Sequence, residues 1–397
     1  MPITIDHDAA TNRLLKFLSV EGITGQEAAI SKTIIAALKD AGVPAKNIRF
    51  DEANGRIPVP TQTGNLIATL PGTRKNAKPV LFMTHMDTVP LCAGAKPKLD
   101  GRRIVNAANT ALGGDNRTGC AVLVTLIAEL LKQKLPHPPL TFLFTVREES
   151  GLFGAKHLNP ADLGGVALGF NVDSRTASDL VIGAIGADRW EVDIHGQASH
   201  AGVAPERGIS ASMVCALAMN DVFDSGWFGK VSKDGKAGTS NVGTIGSGEG
   251  KPAGDATNVV TDFVHVKGES RSHDARFVRR ITAAYKSAFE AAAKRVKDHE
   301  GKTAKVKFTS RLDYVPFRMK DTDPAVKIAV AAAKSIGLKP SLKITNGGLD
   351  ANWMLKHGIP TVTFGAGQNE IHTVKEWVDL NEFDNGCRLA VALATSV

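Results

Sequence analysis

Four runs in this chain are largely apolar yet only seven or eight residues long: PVLFMTH (79–85), LTFLFTV (140–146), VALGFNVD (166–173) and PTVTFGAG (360–367). Runs of that length are short for a buried helix and far short of the ~20 residues that cross a bilayer. They suit strands covered on both faces, which predicts a mainly parallel sheet with a helix layer on each side. NLIATLPG (65–72) adds another strand. Between the strands, 27–41 has an amphipathic helical pattern that stops near Gly42, and RTGCAVLVTLIAELLKQ (117–133) is a long apolar helix. The fold class expected is α/β, a doubly wound, mostly parallel sheet.

Near residue 187 the pattern changes. RWEVDIHG (189–196) alternates in the half-exposed manner of an antiparallel strand, followed by a helical stretch at 208–223 and the strand-like TSNVGTIG and VVTDFVHVKG. A helix over 273–299 places Phe277, Ile281, Ala284, Ala288, Ala292 and Val296 on one stripe, and KVKFTSRL (305–312) ends the series. The order β-α-β-β-α-β is that of a ferredoxin-like unit. Past residue 314 the buried style returns, with a helix at 324–336, SLKIT, a helix at 350–357 and the last apolar run. The organisation expected is therefore one domain of residues 1–186 and 314–397, interrupted by a ferredoxin-like α+β domain of residues 187–313.

Composition removes several function classes. A chain of 397 residues with 43% hydrophobic and 22% charged residues is an ordinary globular one. Its net charge of +8 is dispersed and interrupted by acids, and aromatics make up only 6%, so no nucleic-acid partner is expected. No membrane association is expected either. The N-terminus carries two aspartates where a signal peptide would be basic. Cys92, Cys120, Cys215 and Cys387 are scattered, which suggests neither a disulfide framework nor a thiolate metal site. A cytoplasmic location is the expectation.

The chemistry lies where the buried strands end. PVLFMTH ends in His85, with Asp87 two residues on; LTFLFTV runs into Glu148 and Glu149; VALGFNV runs into Asp173. Asp115 precedes the long apolar helix, and His372 follows the last apolar strand. In an open parallel sheet, ligands bind outside the carboxyl ends of the strands. Each acid alone reads as a helix cap or a solvated loop residue. Five metal-type donors gathered on one sheet edge read as a metal centre. Two imidazoles with carboxylates and no thiol suit zinc, with manganese or cobalt as substitutes. With Asp115 bridging, the set gives three protein ligands to each of two ions ~3.5–4 Å apart. If Glu149 reaches an ion, alternation in extended chain turns Glu148 elsewhere, where it can serve as general base. Asp87 reads as the carboxylate that fixes the His85 tautomer.

Six motifs together resemble the aminoacylase/carboxypeptidase/peptidase T group of di-zinc metallopeptidases: THMDTVP (84–90), LGGDNRTG (112–119), REESGLFGA (147–155), NVDS (171–174), GQASHAG (196–202) and GGLDANWMLKHGIPTVTFGAGQNEIHT (347–373). They span nearly the whole chain, and the tail and the SHAG segment are most similar to the peptidase T branch. The resemblance implies that His85 and Asp173 hold one zinc, Glu149 and His372 the other, with Asp115 between them across a cis bond to Asn116. It implies a catalytic role for Glu148, Asp87 and His200, the last binding the substrate carbonyl, with Asn258, Arg271, Gly347 and Gly348 contacting substrate. It further implies that the inserted domain is a lid that pairs two subunits. The activity implied is hydrolysis of short peptides by a tripeptidase-like aminopeptidase, a water held between the ions attacking the scissile carbonyl. A carboxypeptidase, a dipeptidase, an N-acyl amino acid deacylase and a non-catalytic peptide-binding protein are the alternatives. The chain departs from the family pattern at Arg117 and Thr118, where Lys-Ala is usual, at Leu349, where Ser or Thr is common, and at Asp173, where the acylases carry Glu.

Overall fold

The structure, a computed structural model, describes residues 3–248, 250–254 and 256–397. The chain divides into two compact units, Met1–Ala184 with Arg318–Val397, and Ile185–Phe317.

The first unit is built on a mixed sheet. Its strands run in the order Ile48–Phe50, Leu66–Leu70, Leu140–Thr145, Val80–His85, Leu168–Val172, Thr361–Phe364 and Asp179–Ala184. The middle of this series is parallel, as expected: Val80–His85 pairs in parallel with both Leu140–Thr145 and Leu168–Val172, which in turn pairs in parallel with Thr361–Phe364. The flanks depart from that rule. Leu66–Leu70 is antiparallel to Leu140–Thr145, because the short link from Leu70 to Val80 has no room for a crossover helix. Asp179–Ala184, a strand that the sequence reading did not assign, is antiparallel to Thr361–Phe364 and parallel to Ser341–Thr345.

Phe82, Phe142, Phe144, Phe170 and Phe364 are fully buried in this sheet. The helix Gly114–Gln133 has no exposed apolar face, since Cys120 to Leu126 are all buried. It lies between the sheet and two helices missed in the sequence, His7–Leu18 and Leu380–Ser396. Covering on both sides explains why its sequence is apolar all round. A small sheet of Gln368–Asn369, Trp377–Asp379, Arg103–Asn106 and Pro97–Asp100 completes the unit.

The second unit is one antiparallel sheet, in the order Gly229–Lys233, Lys236–Gly246, Phe263–Ser272, Gly186–His195 and Lys305–Tyr314. The helices Ala211–Asp224 and Ala275–Arg295 pack on it. Without its first strand this is the ferredoxin-like arrangement. The extra strand is a hairpin turned at Asp234-Gly235, both at positive φ (52° and 70°), a pair that favours such tight turns. The buried face of Ala275–Arg295 keeps Phe277, Ile281 and Ala292 of the expected stripe but is rotated partly away from the rest. Tyr285 and Phe289 are fully buried, Ala284 and Ala288 only partly, and Val296 falls outside the helix. Tyr285 lies 4.4 Å from the buried Trp190 ring, between centroids, so the aromatics set the rotation. Among the described residues no helix is long and apolar enough to cross a membrane.

Candidate metal centre

Parallel pairing brings the strand ends of the first unit together. In the register His85 stands opposite Thr145, so the turn carrying Glu148 and Glu149 leaves the sheet beside the histidine. Asp173 follows the neighbouring strand directly. Asp115 sits at the entry of the Gly114–Gln133 helix, where Asp115 and Asn116 leave helical geometry and their peptide bond is cis. The Asn116 side chain donates to the Val172 carbonyl at 2.6 Å and accepts from the Gly119 amide at 3.1 Å, which ties the helix entry to the strand that leads to Asp173.

All five expected donors meet. The Asp115 carboxylate faces two ways, Oδ1 at 3.1 Å from His85 Nε2 and Oδ2 at 3.2 Å from His372 Nε2. On the His85 side, Asp173 Oδ1 lies 3.8 Å from the same imidazole nitrogen. On the other side, Glu149 lies 2.9 Å from His372 Nε2. His372 has a positive φ of 64°, which turns its ring back to the sheet edge. Glu148 joins the His85 half, with ligand-type atoms of His85, Glu148 and Asp173 mutually within 4.8 Å. Glu148 was expected to face away from Glu149. The strand ends at Thr145, however, and Arg147 and Leu152 take positive φ in a turn, so the alternation of extended chain does not apply.

Asp87 does more than expected. The His85 Nδ1 is nearer the Asp87 backbone carbonyl (3.1 Å) than its carboxylate (3.4 Å). The carboxylate instead accepts the amide N–H groups of Glu148 and Glu149, at 3.0 and 3.2 Å. Sequence reasoning missed Glu376, because an acid between Lys375 and Trp377 reads as a surface residue. It is buried and accepts three backbone N–H groups from the loop that holds Asp115: Leu112 at 2.9 Å, Gly113 at 2.8 Å and Asp115 at 3.0 Å. Replacing Glu376 by leucine leaves those donors unpaired, so stability should fall by about 3 kcal/mol, read as a lower urea midpoint in chelator.

The electrostatics are those of crowded acids. Burial drives the Glu148 carboxyl well above the usual range, opposed by the His85 charge. Burial and the Asp115 charge push Glu149 up to about 7. Burial also raises Asp173, and it raises Asp350, whose carboxylate accepts the Thr145 hydroxyl, to about 7. For Asp115, burial works against ionisation, but the contacts with His372 and His85 outweigh it and hold the group below the carboxylate range. Hydrogen bonds to Asp115 and Glu149 raise His372 to about 10. Burial opposes charge on His85, and the Glu148 charge with three carboxylate contacts overcomes it. Four clustered carboxylates against two imidazoles leave a negative surplus that divalent cations would neutralise. The donor set of imidazole nitrogen and carboxylate oxygen fits zinc, manganese or cobalt.

The substrate-binding expectations distribute differently. His200 is exposed and its Nδ1 accepts the Gly202 amide at 3.2 Å, and its loop pairs with the one carrying Asn258, whose carbonyl accepts the Ala201 amide at 2.8 Å. Arg271 is engaged by Glu269, with Nε 2.9 Å from Oε1 and Nη2 donating to Oε2 at 3.0 Å. These residues belong to the second unit. Gly347 and Gly348 lie in the first unit, in the exposed bend before the buried Asp350. Arg117, flagged as a departure, is fully buried and donates to the carbonyls of Met86, Val20 and Gly22, which ties the N-terminal segment to the residue after His85.

The sequence profile of Peptidase family M20/M25/M40 matches residues 81–396, a span that includes every donor described above. The chain belongs to this family. The M20 member is 32% identical to the uncharacterized protein YqjE of Bacillus subtilis over 380 residues, covering 96% of this chain and 95% of that one. Its fold matches the crystal structure of aminopeptidase PepT from Bacillus cereus with a TM-score of 0.84 and 32% identity, over 99% of both chains. It matches a tripeptidase of Staphylococcus aureus with a TM-score of 0.87 and 27% identity, over 98% of both. As an M20 member the chain is a metal-dependent peptidase, a metallopeptidase with the α/β fold of that family.

Proposed function

We propose that this M20 peptidase is a two-zinc exopeptidase that removes the N-terminal residue from short peptides, tripeptides foremost. The observation that carries the reading is the Asp115 carboxylate, which offers one oxygen to a His85–Asp173 half and the other to a Glu149–His372 half. His85 and Asp173 would hold one ion, Glu149 and His372 the second, and Asp115 both. When bound, such a pair supplies Lewis acidity toward a carbonyl oxygen and lowers the pKa of a shared water. The polypeptide supplies the rest. Glu148, whose carboxyl burial raises well above the usual range, accepts the proton of the attacking water and returns it to the leaving amine. Asp87 holds the Glu148 and Glu149 amides and orients His85 through its carbonyl. His200 is proposed to donate to the substrate carbonyl, Asn258 and the Gly347-Gly348 bend to contact the peptide, and Arg271 to receive its terminal carboxylate. The proposed partner is a second copy of the chain, docking through the second unit, whose Ala211–Asp224 helix leaves Met213 and Phe223 more than half exposed.

The aminopeptidase reading draws its support from the two structural neighbours, an aminopeptidase and a tripeptidase. Its test is cleavage of trialanine against N-acetyl-trialanine and trialanine amide by the zinc-reconstituted enzyme. The free-amine peptide is expected to be cut from its N-terminus, with loss on acetylation of roughly 10,000-fold or more, the scale at which a site built to hydrogen-bond a polar group rejects an analogue that cannot answer it. Efficient release of the C-terminal residue from the acetylated peptide would move the assignment to a carboxypeptidase.

A further inference from the structure

Glu27 is fully buried at the start of the Ala28–Asp40 helix, yet its side chain does not cap that helix. Oε1 instead accepts the Gly25 amide at 2.6 Å and the Arg147 amide at 3.1 Å. Oε2 is buried with no hydrogen-bond partner among the described residues. Arg147 directly precedes Glu148 and Glu149, whose amides are held by Asp87. Three successive amides, 147 to 149, are thus held by two buried carboxylates from distant parts of the chain.

The residue between them needs holding. Arg147 has a φ of 51°, a region that a side-chain-bearing residue occupies only when its surroundings impose it. Its guanidinium adds further ties, with Nε donating to Thr61 Oγ1 at 2.8 Å and Nη2 to the Pro60 carbonyl. The guanidinium also lies over Gly25, where a Cβ would stand 2.1 Å from Nη2. Segment 25–27, loop 60–61 and turn 147–149 therefore interlock, and Glu27 is the side chain that joins the first to the third.

We propose that Glu27 is a positioning residue for the reaction: through its bond to the Arg147 amide it sets the backbone turn that aims the Glu148 and Glu149 carboxylates. Glu27 does not touch substrate, and the inference rests on the role assigned above to Glu148. Misplacing a reacting group by about 1 Å costs on the order of 100-fold in rate. Loss of Glu27 should therefore appear in kcat while KM stays near its original value.

The test uses the full-length enzyme, zinc-reconstituted, with trialanine as substrate, and compares Glu27→Ala, Glu27→Gln and Glu148→Gln at equal metal content. Glu27→Ala is expected to lower kcat roughly 30- to 100-fold with KM within about twofold. Glu27→Gln keeps an oxygen that accepts both amides and is expected to retain kcat within about threefold. If Glu27→Ala does not fold, Glu27→Asp, one methylene shorter, carries the same expectation. Full kcat in Glu27→Ala, beside an inactive Glu148→Gln, overturns the inference alone. A Glu27→Gln as slow as Glu27→Ala also overturns it, since the accepting oxygen is then not what matters. Turnover that survives Glu148→Gln overturns the assignment of the base and this inference together.

Discussion

Glu148→Gln is expected to lower kcat roughly 1,000-fold while leaving metal content unchanged, the middle of the range for loss of a general base. The glutamine has nearly the shape of the acid it replaces, and its backbone amide still meets Asp87 at 3.0 Å. What disappears is the capacity to accept a proton from water and give it to the leaving amine. Burial lifts the Glu148 carboxyl well above the ordinary carboxylate range, which makes it a stronger proton acceptor than an exposed glutamate. Steady-state kinetics with metal analysis on the same preparation check the prediction. Retained turnover would assign proton transfer to another group, and loss of metal would make Glu148 a ligand.

The second large effect is expected at Asp115. Asp115→Ala removes the one carboxylate shared by both halves of the cluster, 3.1 Å from His85 and 3.2 Å from His372. Tightly bound metal should fall from about two ions per chain to fewer than one, and activity should drop at least about 1,000-fold without recovery in excess zinc. Asp173→Ala strips only the His85 half and should leave one ion bound. The pH dependence of metal binding follows from the same residues. In the polypeptide itself His372 titrates at about 10 and Glu149 at about 7, so an ion entering between them displaces protons. Affinity for zinc should thus rise with pH, by about tenfold per unit for each proton released, and fall away in acid. Calorimetric titration in buffers of different ionisation enthalpy measures that release directly. An affinity flat from pH 6 to 8 would place the ion elsewhere.

Four of the five donors were readable because each ends or follows a short apolar run, and parallel pairing of those runs gathers their ends; Asp115 was marked instead by the long apolar helix it precedes. The same logic could not reach Glu27 or Glu376. Each is an acid with a polar residue before it and an apolar one after it, and what makes them structural is a set of backbone N–H groups far along the chain, which no local periodicity records. The turn at Arg147 escaped for a related reason: extended geometry was carried on to Glu149, four residues past the end of the strand at Thr145. In the second unit, the sequence reading passed from the 208–223 helix to TSNVGTIG and so omitted the edge strand and the Asp234-Gly235 hairpin that lie between them. The stripe on Ala275–Arg295 held at Phe277, Ile281 and Ala292 and missed Tyr285 and Phe289, whose volume turns that side inward ahead of Ala284 and Ala288.

The six side chains of the cluster are drawn from positions between 85 and 372 of a 397-residue chain. A nascent polypeptide emerging from the ribosome can complete its first strands and helices long before His372 is made, and until then half of the cation cage lacks its imidazole. A truncated product ending ahead of that residue would lack it permanently. If His372 holds an ion as proposed, synthesis imposes a delay on peptide hydrolysis, and copies that end ahead of this residue are expected to be inactive.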